Sequence, residues 1–226
     1  METPTLTTMV VLYKMGVRLD TDFLVQNLPL NETVIKIEKQ GVLRRGQSSR
    51  DAIKHRPKTT ATPRRTTGFG HNSITLVVLS DGYGTLRKKE ITVKIFQNGV
   101  FHITGVLDEQ YDRQVVEVLR DHILAHCPTA VEVKDWDMTG RRVVLMNYKT
   151  RILDKTNLSR EALHAHARTL GFRSNYEPAV YPAVKIYFPE AKWIAKVFRT
   201  GNVILTGMTS ADECDRLMSQ LRLVLA

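Results

Sequence analysis

At 226 residues with 42% hydrophobic content, the chain has material for one large or two small globular cores. Its formal net charge of +10 and isoelectric point near 9.7 favour a polyanionic partner. The sequence shows neither a run of about eighteen apolar residues nor a basic-then-apolar start, so neither a membrane partner nor a secretory signal is expected. Two cysteines, Cys127 and Cys214, fit a reducing compartment without a disulfide framework.

In chain order, the first unusual stretch is residues 44–72, RRGQSSRDAIKHRPKTTATPRRTTGFGHN. It is basic, polar and poor in core residues, which reads mostly as a flexible insertion. A solvated loop and an added phosphate-contacting or nuclear-import segment are the two roles such a composition allows.

Residues 91–105, ITVKIFQNGVFHITG, read as a strand, a glycine turn and a second strand. Side chains alternate faces along a strand. One face takes Ile91, Val93, Ile95, Phe101 and Ile103 and must cover a core. The other takes Thr92, Lys94, Phe96, His102 and Thr104. Asp108 then caps a helix with an apolar stripe of Val115, Val118, Leu119 and Ile123. His122, His126 and Cys127 fall close together, but without a second ligand cluster a zinc site is not expected.

Residues 193–207, WIAKVFRTGNVILTG, repeat the hairpin without a gap at an offset of 102 (198 − 96). Trp193, Ala195, Val197, Val203 and Leu205 form the core face, and Ile194, Lys196, Phe198, Ile204 and Thr206 the other. Each copy thus puts a phenylalanine beside a lysine and a threonine, away from the core. A surface aromatic among cations points to a binding surface. Gly99 and Gly201 sit where the turns need positive φ. Ser210 and Glu213 have capping-box spacing ahead of Leu217, Leu221 and Val224 or Leu225. Apolar sheet faces and helix stripes bury each other. The expected fold class is therefore α+β, with two pseudo-symmetric repeats forming one long antiparallel sheet and helices on one side. The first repeat spans 1–126, with the insertion at 44–72, and the second spans 127–226.

Residues 176–207, YEPAVYPAVKIYFPEAKWIAKVFRTGNVILTG, resemble the second-repeat core of the TATA-box-binding protein family. That core reads roughly Y-E-P-x-L-F-P, then about ten residues, then I-F-x-S-G-K, an apolar residue and V-L-T-G. Tyr176, Glu177, Pro178, Pro182, Phe198, Gly201, Leu205, Thr206 and Gly207 match it. The start, P-T-L-T-T-M-V-V with Gly16, Arg18, Leu19 and Asp20, is similar to the family's first strand and the approach to its first helix. The resemblance implies a saddle whose curved sheet lies on the minor groove of duplex DNA. Paired aromatic wedges then open a base step at each end of the site. It puts Phe198 on one wedge of the second pair and Tyr181 on the other. Phe96 falls on one wedge of the first pair, with Phe69 and Ile74 as candidates for its partner and Ile74 favoured. Thr104 and Thr206 match threonines that hydrogen-bond base edges, Thr8 stands for a central asparagine, and Val10 keeps a neighbouring valine.

Departures from the family pattern matter as much. Lys94 and Lys196 stand where leucine is usual, and His102 where valine is usual, while Ile204 keeps apolar character. The second-half counterpart of the first strand falls within 136–148, with Arg141, Arg142, Val143 and Val144 near the expected place. More cations and fewer apolar contacts imply weaker sequence discrimination and steeper salt dependence. The E-P-E-L stirrup is Glu177, Pro178, Ala179 and Val180 here. Glu177, Ala179 and Val180 would meet a TFIIB-like factor, and the missing second acid alters that contact. The implied partners are duplex A·T-rich DNA, TFIIB-like and TFIIA-like factors and the polymerase machinery, in a nuclear or viral transcription compartment. Such divergence is compatible with a virus-encoded member. No cofactor or metal is implied, and no nucleotide loop, zincin helix, nucleophile elbow or C-x-x-C pair marks an enzyme. A single-strand or RNA-binding sheet and a protein-interaction scaffold are the rival readings.

Overall fold

The computed structural model describes all residues except 55–71, 83–86, 133–135, 137, 139, 154–157 and 190, with backbone alone at 52–54. Among them, four α-helices and an antiparallel sheet of eleven strands make the chain α+β. Two compact units divide it. One is Val10–Arg142; the other joins Met1–Met9 to Val143–Ala226. The first nine residues thus group with Val143–Ala226. The cause is hydrogen bonding: the Glu2 amide donates to the Arg151 carbonyl, and the Thr150 hydroxyl donates to the Glu2 carbonyl at 2.6 Å.

The Val10–Arg142 unit begins within β1 (Thr5–Lys14) and continues through β2 (Arg18–Leu19), α1 (Thr21–Asn27), β3 (Val34–Lys39) and β4 (Leu43–Gly46). Then come β5 (Ser73–Ser80), β6 (Lys89–Phe96), β7 (Val100–Val106), α2 (Glu109–His126) and β8 (Val131–Glu132). The main strands lie in the order β7-β6-β5-β3-β4, and β2 pairs with β8. The hairpin parity read from the sequence holds. Ile91, Val93, Ile95, Phe101 and Ile103 are fully buried, together with Ile74 and Leu76 of β5. Helix α2 packs on β5 and β7. Its cap is the Asp108 carboxylate, which accepts the Gln110 amide at 2.8 Å. Val115, Val116, Leu119 and Ile123 are buried, whereas Val118 stays partly exposed, so Val116 takes the place in the stripe expected for Val118.

The other unit holds most of β9 (Gly140–Arg151), α3 (Arg160–Thr169), β10 (Arg173–Asn175), β11 (Ala183–Tyr187), β12 (Ile194–Phe198), β13 (Asn202–Met208) and α4 (Ala211–Leu225). Its strand order is β10-β11-β12-β13-β9. Trp193, Ala195, Val197, Val203 and Leu205 join Leu217, Met218, Leu221 and Val224 of α4 in one core. Ser210 accepts the Glu213 amide, and the Glu213 carboxylate returns to the Thr209 amide, one residue earlier than in a standard capping box. The two hairpins pair alike. Lys94 faces His102 as Lys196 faces Ile204, and Val93 faces Ile103 as Ala195 faces Leu205. Gly99 and Gly201 adopt φ of 73° and 79°, and a Cβ on Gly99 would lie 2.2 Å from the Val17 carbonyl oxygen.

Of the 44–72 stretch expected to be mostly a flexible insertion, residues 44–54 are structured, while 55–71 lie outside the described residues. Residues 43–46 are β4, paired with β3, and Ser49–Lys54 is a 3-10 helix. Among the described residues, the second unit's strand order has no counterpart of β4. Cys127 and Cys214 are free and buried, and burial pushes the Cys214 thiol up to about 11. Among the described residues, no helix is long and apolar enough to cross a membrane.

Candidate nucleic-acid interface

Each unit has a sheet face turned away from its helices, and strand pairing sets what that face presents. In the Val143–Ala226 unit the pairings Asn175–Lys185, Lys185–Lys196, Lys196–Ile204 and Ile204–Lys149 place these residues in one row across five strands. Three lysines on one row of an open sheet face make a track for anionic groups. Beyond that row Phe198 is paired with Ala183, and Thr206 is paired with Ile194. Lys149 and Lys185 escaped sequence reasoning, because no register tied their strands to the hairpin. Asn147 escaped it too. By alternation with buried Tyr148 it lies on the open face, and its Oδ1 is covered without a hydrogen-bond partner.

Tyr181 is held beside Phe198 by a built loop. The Glu177 carbonyl accepts the amides of both Val180 and Tyr181 at 2.9 Å. From α3, the Arg160 guanidinium donates to the Pro182 carbonyl at 2.7 Å and lies 5.2 Å from the Tyr176 ring centroid. The Tyr176 phenol donates to Glu161 at 3.0 Å. With both loop ends tied down, the Tyr181 and Phe198 rings meet edge-on, centroids 6.0 Å apart at 61°. Lys185 Nζ lies 4.8 Å from the Tyr181 centroid. A cation over a ring face adds attraction and pins the ring. Glu177, Ala179 and Val180 remain exposed on this loop, with Glu177 accepting from the Asn175 amide group.

In the Val10–Arg142 unit, Thr92, Lys94, Phe96, His102 and Thr104 share the open face as expected. Lys94 pairs with Thr75 and His102, and the Thr104 hydroxyl donates to the Thr92 carbonyl at 3.4 Å. His102 Nδ1 is covered and unpartnered. Burial, and secondarily Lys94, pushes its pKa down, so at neutral pH the ring is uncharged. Phe96 ends β6 opposite Ser73 and lines a groove with Lys14, Arg18 and Asn72.

Three expected contacts are corrected. Ile74 is fully buried and directly opposite Ile95, so it faces the core and cannot be a wedge. The position equivalent to Tyr181, two residues before the partner of Phe96, is His71, which with Phe69 lies outside the described residues. Arg141 turns to the helix side. Its Nε and Nη2 each donate to Asp112 of α2 at 2.9 Å, and Tyr13 of β1 donates to the same carboxylate. Asp112 is wholly buried, and its bonds raise the Arg141 pKa. Arg142, by contrast, is exposed. Val10 alternates with Val11 and Tyr13 and so shares the open side with Thr8, but only 8% of its surface is accessible. It has little surface left to contact a ligand.

The class these features define is an α+β repeat protein with basic sheet faces, one of them ending in a held aromatic pair. Residues 155–226 match the family described as "Transcription factor TFIID (or TATA-binding protein, TBP)". The solved structure of Methanococcus jannaschii TBP has a similar fold, with a TM-score of 0.62 at 14% identity, covering 99% of this chain and 98% of that one. No curated protein matches the sequence. The resemblance to the TATA-binding-protein family therefore stands, by sequence over residues 155–226 and by fold over the whole chain.

Proposed function

We propose that this chain binds duplex DNA through the minor groove, opens a base step with Tyr181 and Phe198, bends the duplex and nucleates a transcription initiation complex. The observation that carries the reading is the Tyr181–Phe198 ring pair, held by Arg160 and Glu177 beside a row of lysines. The minor groove has a degenerate hydrogen-bond code, so a binder there gains selectivity from shape and from the cost of unstacking. Rigid rings hold a step open, and lysines and small hydroxyls such as Thr206 and Thr104 serve phosphates and base edges. Glu177, Ala179 and Val180 are the surface offered to a TFIIB-like factor.

The test is energy transfer between dyes at the two ends of a short duplex, titrated with the protein at physiological salt. A rise on a TA-step-rich A·T duplex, absent on a G·C control and reduced by Tyr181→Ala, is expected. Equal binding to both duplexes without bending would sink the wedge. Stronger competition by single strands would shift the function to base stacking.

A further inference from the structure

The open face of the Val10–Arg142 unit is not bare. Residues 48–51 lie across it. The Ser49 amide and hydroxyl both donate to the Glu90 carboxylate, at 2.9 and 2.8 Å. Arg50 Nη1 donates to the Thr92 hydroxyl at 3.3 Å, and a Cβ built on Gly105 would meet the Arg50 guanidinium. Glu90 and Thr92 alternate with core residues Ile91 and Val93, so these bonds sit on the face away from α2. Asp51 goes further. Its two oxygens contact Lys36 at 2.9 Å and Arg44 at 2.5 Å, and it also accepts the Ser48 amide. Lys36 and Arg44 belong to the same face by register, through Val77 opposite Thr92 and through Glu38 opposite Thr75. The Lys36 side chain is only 5% exposed, far less than expected for a lysine on an open sheet. The Lys36 ammonium and then the Ser48 amide hold the Asp51 carboxyl well below the usual carboxylate range, so it stays charged throughout the neutral range.

A carboxylate held by a lysine, an arginine and a backbone amide occupies a site with the donors a phosphate takes. We infer that Lys36 and Arg44 form a phosphodiester site on the first unit's sheet, filled in the free protein by Asp51, and that residues 48–51 are a strap which a nucleic-acid backbone must displace. The inference rests on the DNA-binding reading above. Ser49 and Arg50 then cover Thr92 and the approach to Thr104, so the first half meets DNA only after the strap lifts.

The experiment compares wild type, Asp51→Asn and Asp51→Asn/Lys36→Gln by fluorescence anisotropy on the same A·T duplex. Amide exchange at Ser49 is followed with and without duplex, and thermal melts confirm folding. Asp51→Asn should bind on the order of tenfold tighter, since a like charge is removed from the phosphate path. Adding Lys36→Gln should reverse the gain and lower the salt slope by about one. Ser49 should be protected in free wild type, and lose protection both on adding duplex and in Asp51→Asn alone. Unchanged affinity for Asp51→Asn, or Ser49 protection that neither duplex nor the substitution alters, would overturn the strap while leaving DNA binding standing. If no variant binds duplex, the functional reading fails and the phosphodiester site with it. Ser49 protection in Asp51→Asn then still decides whether Asp51 holds the segment closed.

Discussion

Two adjacent arginines on one strand have opposite fates. Arg141 is committed to Asp112, a carboxylate with no solvent access that also accepts the Tyr13 phenol. Removing one partner of such a pair strands a buried charge, at a cost of about 3–5 kcal/mol. Arg141→Met should therefore lower the unfolding free energy by roughly that amount in urea, with DNA affinity per folded molecule unchanged. Arg142→Ala should do the reverse, weakening DNA binding at constant stability. A stable Arg141→Met protein with reduced affinity would return Arg141 to the interface. His102 makes a pH-dependent prediction. Its folded pKa lies below the unfolded value of about 6.5. As pH falls, the unfolded chain takes up this proton first. The stability linked to the ring is thus fully present above the unfolded value and declines as pH drops through it toward the folded one. Between pH 7.5 and 5.5, His102→Leu should lose less stability than wild type in urea titrations. Equal losses would show that the ring is not shielded.

At the scale of elements, legibility followed periodicity. The hairpins 91–105 and 193–207 could be read because alternation ties each side chain to a face once one strand is placed. Every core residue expected there is buried. Ile74 failed for the same reason that these succeeded. Its position at the head of a strand says nothing about parity until its partner is known, and that partner is Ile95. The first part of the basic insertion misled through composition. RRGQSSRD is polar enough to seem solvated, yet Leu43–Gly46 extends a sheet edge and Asp51 finds two cations distant in sequence or across the turn. Ion pairing of this kind leaves no periodic trace. The row of Lys149, Lys185 and Lys196 was hidden likewise, since it exists only through cross-strand register. In the YEPAVYP segment, the motif named Tyr176 and Glu177 without explaining them. Their work is local: one anchors to α3, the other closes the turn that holds Tyr181.

For the molecule as a whole, the repeat supplies two sheet faces of unequal readiness. The second presents a ring pair already in contact and a lysine row, while the first carries residues 48–51 over Thr92 and seals Lys36. Wild-type affinity should accordingly depend more on the second half. Phe198→Ala should weaken binding to an A·T duplex on the order of tenfold or more, the loss typical of truncating a buried aromatic anchor. Phe96→Ala should cost only a few-fold, because the strap must lift before that face contributes. The comparison becomes sharper in the Asp51→Asn background. With the strap released, the penalty for Phe96→Ala should grow toward that for Phe198→Ala, while the Phe198→Ala penalty stays as it was. Titration of wild type, Asp51→Asn and each phenylalanine variant in both backgrounds by anisotropy, with end-to-end energy transfer as the bending readout, measures both. A larger loss from Phe96→Ala in the wild-type background would reverse the assignment of the leading half, and equal ratios in both backgrounds would separate the asymmetry from the strap.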